Sequence, residues 1–379
     1  LMPCFVGVSN NRATNMGVVR EGNERVLRAR LEDAAFFWKE DLKKPLAARI
    51  DELKNILYQE KIGSLYDKVK ATQKLAVNLC HVLGLSDIVK LVERAASLSK
   101  SDLLTNMVYE FPELQGVMGR EYALRNGEPQ RVALGIYEQY LPGFAGDKVP
   151  SDSVGAILGL AERGYIIVSC HKAGLQPTGS QDPYALRRAA RCINEIIWGT
   201  ELDADMQDLF RKAGEVADVS SDILDQVWSF YEQRLHVQLK EKGFDHDIVS
   251  LAISVIGKQP LQVLRLLGAL DKVKAESWFE ELITAAVRVR NILSKAEVAD
   301  ISTEVSPAFF QKEAEGRLFD EIRETTEHVE KTLSPCITSF FDDVLIMDED
   351  ISVRRNRLAL LSCCNKLFRK VGDLGTLKC

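Results

Sequence analysis

Apolar residues recur along this chain at intervals of three and four, and almost nowhere at every second position. That period belongs to helices packed on one face, so the pattern predicts a mainly all-α, multi-domain chain. A helix is expected over 20–42, with Val26, Leu27, Leu31, Ala34, Ala35 and Trp38 as its buried stripe, before Lys43, Lys44 and Pro45 break it. Further helical stretches are expected over 46–83, interrupted near Gly63, and over 87–97. Pro112 divides the next piece, 100–125, and a helix runs from about Pro129 to Tyr140. After a Pro/Gly loop over 141–151, a helix from Val154 is expected to end at Gly164. Residues 200–268 read as two or three helices split by Gly214, Gly243 and Gly257. The last helices are expected over 275–293, 309–333, 337–344 and 352–371. The one exception to the helical period is Phe5-Val6-Gly7-Val8, read as a short strand at the N-terminus before an Asn-rich turn.

One central stretch is unusually legible: Leu175-Gln176-Pro177-Thr178-Gly179-Ser180-Gln181-Asp182-Pro183-Tyr184-Ala185-Leu186-Arg187-Arg188-Ala189-Ala190. Pro177 and Gly179 turn the chain. Asp182 is placed to cap a helix, with Pro183 at the first helical position. Leu186, Ala190, Ile193 and Ile197 then form an apolar stripe, and Arg187 and Arg191 sit four apart on another face. Those arginines either meet carboxylates such as Glu195 or form an edge facing phosphate; Arg188 belongs to the second reading.

Length and composition narrow the class. With 379 residues the chain exceeds what one core usually organises. Hydrophobic residues make up 46% and charged residues 27%, ordinary for a globular protein. No apolar run is expected to approach the ~20 residues that span a bilayer. The net charge of −6 argues against indiscriminate nucleic-acid binding but leaves a local basic face open. None of the eight cysteines forms a CxxC pair, which points away from zinc and disulfides and towards a reducing compartment.

Candidate chemistry is sparse. There is no HExxH, Walker loop or GxGxxG, and His171, His236, His246 and His328 stand singly. No catalytic or metal-ligating residue is assigned. The final helix offers more. On a wheel of about 100° per residue, Val353, Leu360, Cys364, Leu367, Phe368 and Val371 fall on one side. Arg354, Arg355, Lys366, Arg369 and Lys370 fall opposite. Such a strip is either a solvated face or a track for a phosphate backbone.

Four segments carry a family resemblance. The central stretch resembles the "QPTG..DP.ALRRAA" segment of the bacterial-type glycyl-tRNA synthetase β subunit. Val19-Arg20-Glu21-Gly22-Asn23-Glu24-Arg25-Val26-Leu27-Arg28-Ala29-Arg30-Leu31 and Met107-Val108-Tyr109-Glu110-Phe111-Pro112-Glu113-Leu114-Gln115-Gly116-Val117-Met118-Gly119-Arg120 agree with the same family in order. Asp348 to Leu361 is similar to the "D..LR..RLALL" helix of the DALR anticodon-binding domain, with Val353 in place of the leucine before the arginine.

The resemblance implies an N-terminal region ending at 1–45, an HD-like helical domain over 46–199, a helical linker over 200–268 and an anticodon-binding domain over 269–379. It also implies that the chain is the C-terminal portion of a longer polypeptide. A separate α subunit would activate glycine with ATP and Mg2+ in an α2β2 ligase, while this chain binds tRNA(Gly), is inactive alone, holds no cofactor, and meets neither membrane nor DNA. The compartment would be the bacterial cytoplasm, or an organelle in a eukaryote. The RNA-binding candidates are Arg354, Arg355, Arg357, Lys366, Arg369 and Lys370, with Arg187, Arg188 and Arg191. In HD phosphohydrolases a His-Asp pair holds metal; here that step reads Lys100-Ser101-Asp102, with His81 upstream. A metal-dependent HD-type phosphohydrolase and a helical interaction scaffold are the competing readings.

Overall fold

The computed structural model describes residues 4–10, 12, 14–179, 181–274, 276–296, 304–324, 329–369 and 374–376. The described residues are 73% helical. It divides into two compact units, one of residues 1–200 with 208–227 and one of 201–207 with 228–379. The stretch expected to be a linker, 200–268, is thus shared between them.

The first unit contains α1 (Met16–Asp41), α2 (Leu65–Val82), α3 (Val89–Leu98), α4 (Asn106–Glu110), α5 (Val117–Arg125), α6 (Gln130–Glu138), α7 (Ser153–Lys172) and α8 (Leu186–Thr200). Its two strands, β1 (Leu57–Gln59) and β2 (Gly63–Ser64), pair antiparallel across a turn where Gly63 takes φ +115°. The strand expected over 5–8 does not form. Val6 and Val8 are 93% and 95% exposed, and an extended segment with no neighbouring strand has no ladder to join.

Helix α2 opens with a capping box: Ser64 Oγ accepts from the Asp67 N–H, and Asp67 Oδ2 accepts from the Ser64 N–H. The Ser64 hydroxyl, which also donates to Asp67 Oδ2 at 2.6 Å, and the Ser64 N–H hold the Asp67 carboxyl below its usual range. Helix α1 is anchored at its C-terminal end. Buried Asp41 accepts from the Asn106 and Met107 N–H groups at the start of α4 and from Tyr122 Oη, and Trp38 stacks on Tyr122 with ring centres 5.1 Å apart. Further back, the expected buried stripe lies open, with Val26 and Leu31 63% and 62% exposed.

Helix α7 organises this unit. It is long and apolar enough to cross a membrane, contrary to the sequence expectation, yet 83% of its most apolar window is buried inside the protein. Gly164 was expected to end it, but the helix runs on to Lys172. A Cβ there would stand 2.5 Å from Leu209 Cδ2, so this glycine admits a neighbour and does not stop the helix. Burial of side chains such as Ile157, Leu158, Leu160 and Ile167 stabilises the unit by about 1.5–3 kcal/mol each.

Helices α9 (Met206–Ala217) and α10 (Ser221–Glu241) follow, then α11 (His246–Ile256) and α12 (Pro260–Val273). Gly243 and Gly257 separate helices as expected, whereas Gly214 lies within α9. The second unit closes with α13 (Ser277–Lys295), α14 (Glu313–Glu324), α15 (Val329–Asp343) and α16 (Ile351–Phe368). Pro335 sits inside α15 without ending it. Leu282, Ile283 and Val289 of α13, Leu318 of α14, Ile337 and Phe340 of α15, and Leu358, Leu361 and Cys364 of α16 form one core.

Candidate nucleic-acid interface

Helix α16 begins at Asp350, whose carboxylate accepts from the Ser352 and Val353 N–H groups. Val353, Leu360, Cys364 and Phe368 are buried as the wheel requires, and Leu367 is half-buried. Asn356, Arg357, Leu358, Ala359 and Leu361 are buried as well, so the middle of the helix is enclosed nearly all round. Its basic residues therefore show at the two ends. Arg355 is exposed near the start with Arg354 half-buried beside it, and Lys366 and Arg369 are exposed near the end. At 100° per residue Arg355, Lys366 and Arg369 fall within about 60° of one another, and a rise of 1.5 Å per residue puts roughly 16 Å between Arg355 and Lys366. Two cationic patches on one side replace the continuous strip read from the wheel. Lys370 and Val371 lie outside the described residues.

Arg357 is a correction. Expected among the RNA-binding residues, it is enclosed, with its side chain 2% exposed. Its Nε donates to Glu315 Oε1 at 2.9 Å and its Nη1 to Asp348 Oδ2 at 2.7 Å. Further bonds run to the Leu345 carbonyl and Gln311 Oε1. Four of its five N–H donors are engaged within the protein, and the enclosed side chain does not present the fifth to a phosphate. Asp348, held below the usual carboxylate range by the Asp350 N–H and by Arg357, thus pairs with an arginine nine residues on. That pairing fixes the turn into α16.

In the first unit, Asp182 caps α8 from outside the helix. Its two carboxylate oxygens accept from the N–H groups of Leu186 at 2.8 Å and Arg187 at 3.0 Å. The helix starts at Leu186, later than Pro183 suggested, because Ala185 takes φ +54°. Leu186, Ala190, Ile193 and Ile197 are buried, as the stripe predicted. The three arginines part company. Arg187 donates to the Gly179 carbonyl, and Arg191 pairs with Glu195 at 3.0 Å. Arg188 is exposed and makes neither a hydrogen bond nor an ion pair among the described residues.

The step Lys100-Ser101-Asp102 is buried. Lys100 Nζ and Lys68 Nζ both donate to Glu162 Oε1, at 2.9 and 2.7 Å, and each ammonium also lies over a tyrosine ring, Tyr140 for Lys100 and Tyr58 for Lys68. Burial pulls the Lys100 amine down to about 8, against the pull of Glu162. Burial would raise Glu162, but Lys100 and Lys68 outweigh it and keep the carboxylate far below its usual range. Burial raises Asp102 in turn, although its Oδ2 accepts from the Gly116 N–H. Among the described residues no three His, Cys, Asp or Glu side chains are grouped to hold a metal. Two ammoniums beside the one carboxylate repel a divalent cation besides. Sequence reading missed Glu162. Its signal was a lone carboxylate in the apolar run Leu158-Gly159-Leu160-Ala161, which burial obliges to find a cation.

Comparison with known proteins agrees with the four segments. Residues 1–254 match the family model described as glycyl-tRNA synthetase beta subunit, and residues 282–375 match the DALR anticodon binding domain. The chain is 40% identical over 395 residues to the glycine–tRNA ligase beta subunit of Desulforudis audaxviator, covering 99% of this chain and 57% of that protein. It is 39% identical to the same-named protein of Syntrophotalea carbinolica and 38% to that of Moorella thermoacetica, covering 100% of this chain and 57% of each of them. The chain thus spans 57% of the length of these curated relatives.

Proposed function

As the chain belongs to the glycyl-tRNA synthetase β-subunit family, we propose that it is a tRNA-binding portion of a glycine–tRNA ligase, supporting glycylation of tRNA(Gly) by a separate α subunit. On this reading ATP and Mg2+ act in that partner, and the chain carries no catalytic residue and takes no cofactor of its own. The compartment is that of protein synthesis, the bacterial cytoplasm or an organelle.

The observation that carries the reading is the placement of Arg355, Lys366 and Arg369. They lie exposed on one side of a helix whose middle is locked into the core, in the region that matches the anticodon-binding domain. A rigid helix with cations at both ends meets phosphates without ordering a flexible segment first, so binding costs less conformational entropy. Phosphate contacts position an RNA and do not read its bases. Selectivity for tRNA(Gly) would come from base-edge contacts beside these patches. A gel-shift titration of the chain with tRNA(Gly) and with an unrelated tRNA tests the proposal. Preference for tRNA(Gly) is expected, and equal or absent binding of the two would refute it.

A further inference from the structure

A cleft of about 300 Å³ opens in the first unit between the end of α6, the middle of α7 and the start of α8. Tyr140, Glu162, Arg163, Tyr184 and Arg188 are among its lining residues. Its volume lies at the low end of small-molecule sites, about 300–1,000 Å³, and leaves room for one nucleotide-sized group.

The walls are rigid. Arg163 donates to the carbonyls of Gln139, Gly159, Tyr140 and Pro142, at 2.9, 3.1, 3.2 and 3.1 Å, and Cys192 Sγ donates to that of Pro142. The charge of Arg163 therefore stays in the wall while its donors are used. Glu162, 8% exposed, takes both lysines on one oxygen, and its other oxygen has no donor among the described residues. Lys68 and Lys100 hold Glu162, the one carboxylate that lines the cleft, and Arg163 and Arg188 line the cleft as well. Such a site favours an anion that also brings an N–H donor. At the rim Tyr184 is 37% exposed, a flat apolar face beside unpaired Arg188.

We propose that this cleft takes a single unstacked nucleotide of a bound RNA, its base stacked on Tyr184 with an N–H edge donated to Glu162, and its phosphate on Arg188. Every base has a face to stack, and aromatic platforms use this to seize unpaired nucleotides. The proposal rests on the tRNA-binding reading above and adds a second contact point, in the other unit, to the α16 patches.

The test measures tRNA(Gly) affinity of the full chain as parent, Tyr184→Ala, Tyr184→Phe, Arg188→Ala and an Arg355→Glu/Lys366→Glu variant of α16. Tyr184→Ala is expected to weaken binding about tenfold and Tyr184→Phe to restore it, as loss of one stacked base predicts. Arg188→Ala is expected to weaken binding and to make the dependence of log K on log salt shallower by about one. Neither side chain is buried, and thermal melts matching the parent will show that the fold is kept. If the α16 variant weakens while Tyr184→Ala and Arg188→Ala bind like the parent, the cleft proposal is wrong and the tRNA-binding reading stands. If the parent itself binds no tRNA, both fall.

Discussion

Arg357 and Glu315 form an ion pair sealed inside the second unit, Nε to Oε1 at 2.9 Å, with side chains 2% and 0% exposed. Glu315 also accepts from the Gln311 and Lys312 N–H groups through Oε2, so it fastens the start of α14 to α16. The arginine that looks most like part of an RNA-binding motif is thus a structural tie.

Removing one partner of this pair leaves a buried charge uncompensated. Arg357→Ala is expected to destabilise the chain by about 3–5 kcal/mol in denaturant unfolding. A loss under about 1 kcal/mol, the range of an exposed pair, would show that the guanidinium reaches water.

Asp182 should matter less. Its two bonds cap α8, and Asp182→Ala is expected to cost ~0.5–2 kcal/mol while Asp182→Asn keeps most of the stability. Unchanged melts for the alanine variant would mean that the cap contributes nothing.

The buried lysines predict a pH dependence. Lys100 gives up its proton near pH 8 in the folded chain, against an ordinary 10.5. Between those values the unfolded chain holds a proton that the folded chain has released, so stability rises with pH across that window. Below about pH 8 the cost of burying the second ammonium is fully present. The parent is therefore expected to gain stability relative to Lys100→Met on going from about pH 7 to about pH 9, a comparison that cancels the titration of other groups. A flat difference would show that Lys100 keeps its proton.

What the sequence disclosed was local. The stripe Leu186, Ala190, Ile193, Ile197 and the Asp182 cap could be read because their partners lie within a few turns. What it hid depends on distant partners. Nothing near Arg357 in sequence says that Glu315, 42 residues earlier, will enclose it, so a wheel sends the charge outwards. Lys68 and Glu162 are 94 residues apart, and neither shows alone that it is buried. Gly164 suggests a stop when read locally, and only the approach of Leu209 shows why a glycine stands inside the helix. The patches at the ends of α16 were half legible. The basic residues were evident, but the enclosure of Leu358 and Ala359 between them was not.

Binding of tRNA(Gly) across a salt series, by the parent chain and by an Arg355→Glu/Lys366→Glu/Arg369→Glu variant, tests the central claim most directly. All three side chains are exposed, so the variant should fold like the parent. The account predicts clear loss of affinity and a slope of log K on log salt shallower by up to about one for each phosphate contact removed. Arg355→Gln, which removes a charge without adding an opposing one, should show a smaller change in the same direction. A folded triple variant that binds tRNA(Gly) with the parent's affinity and salt slope would contradict the account, leaving α16 a solvated helix with no part in RNA binding.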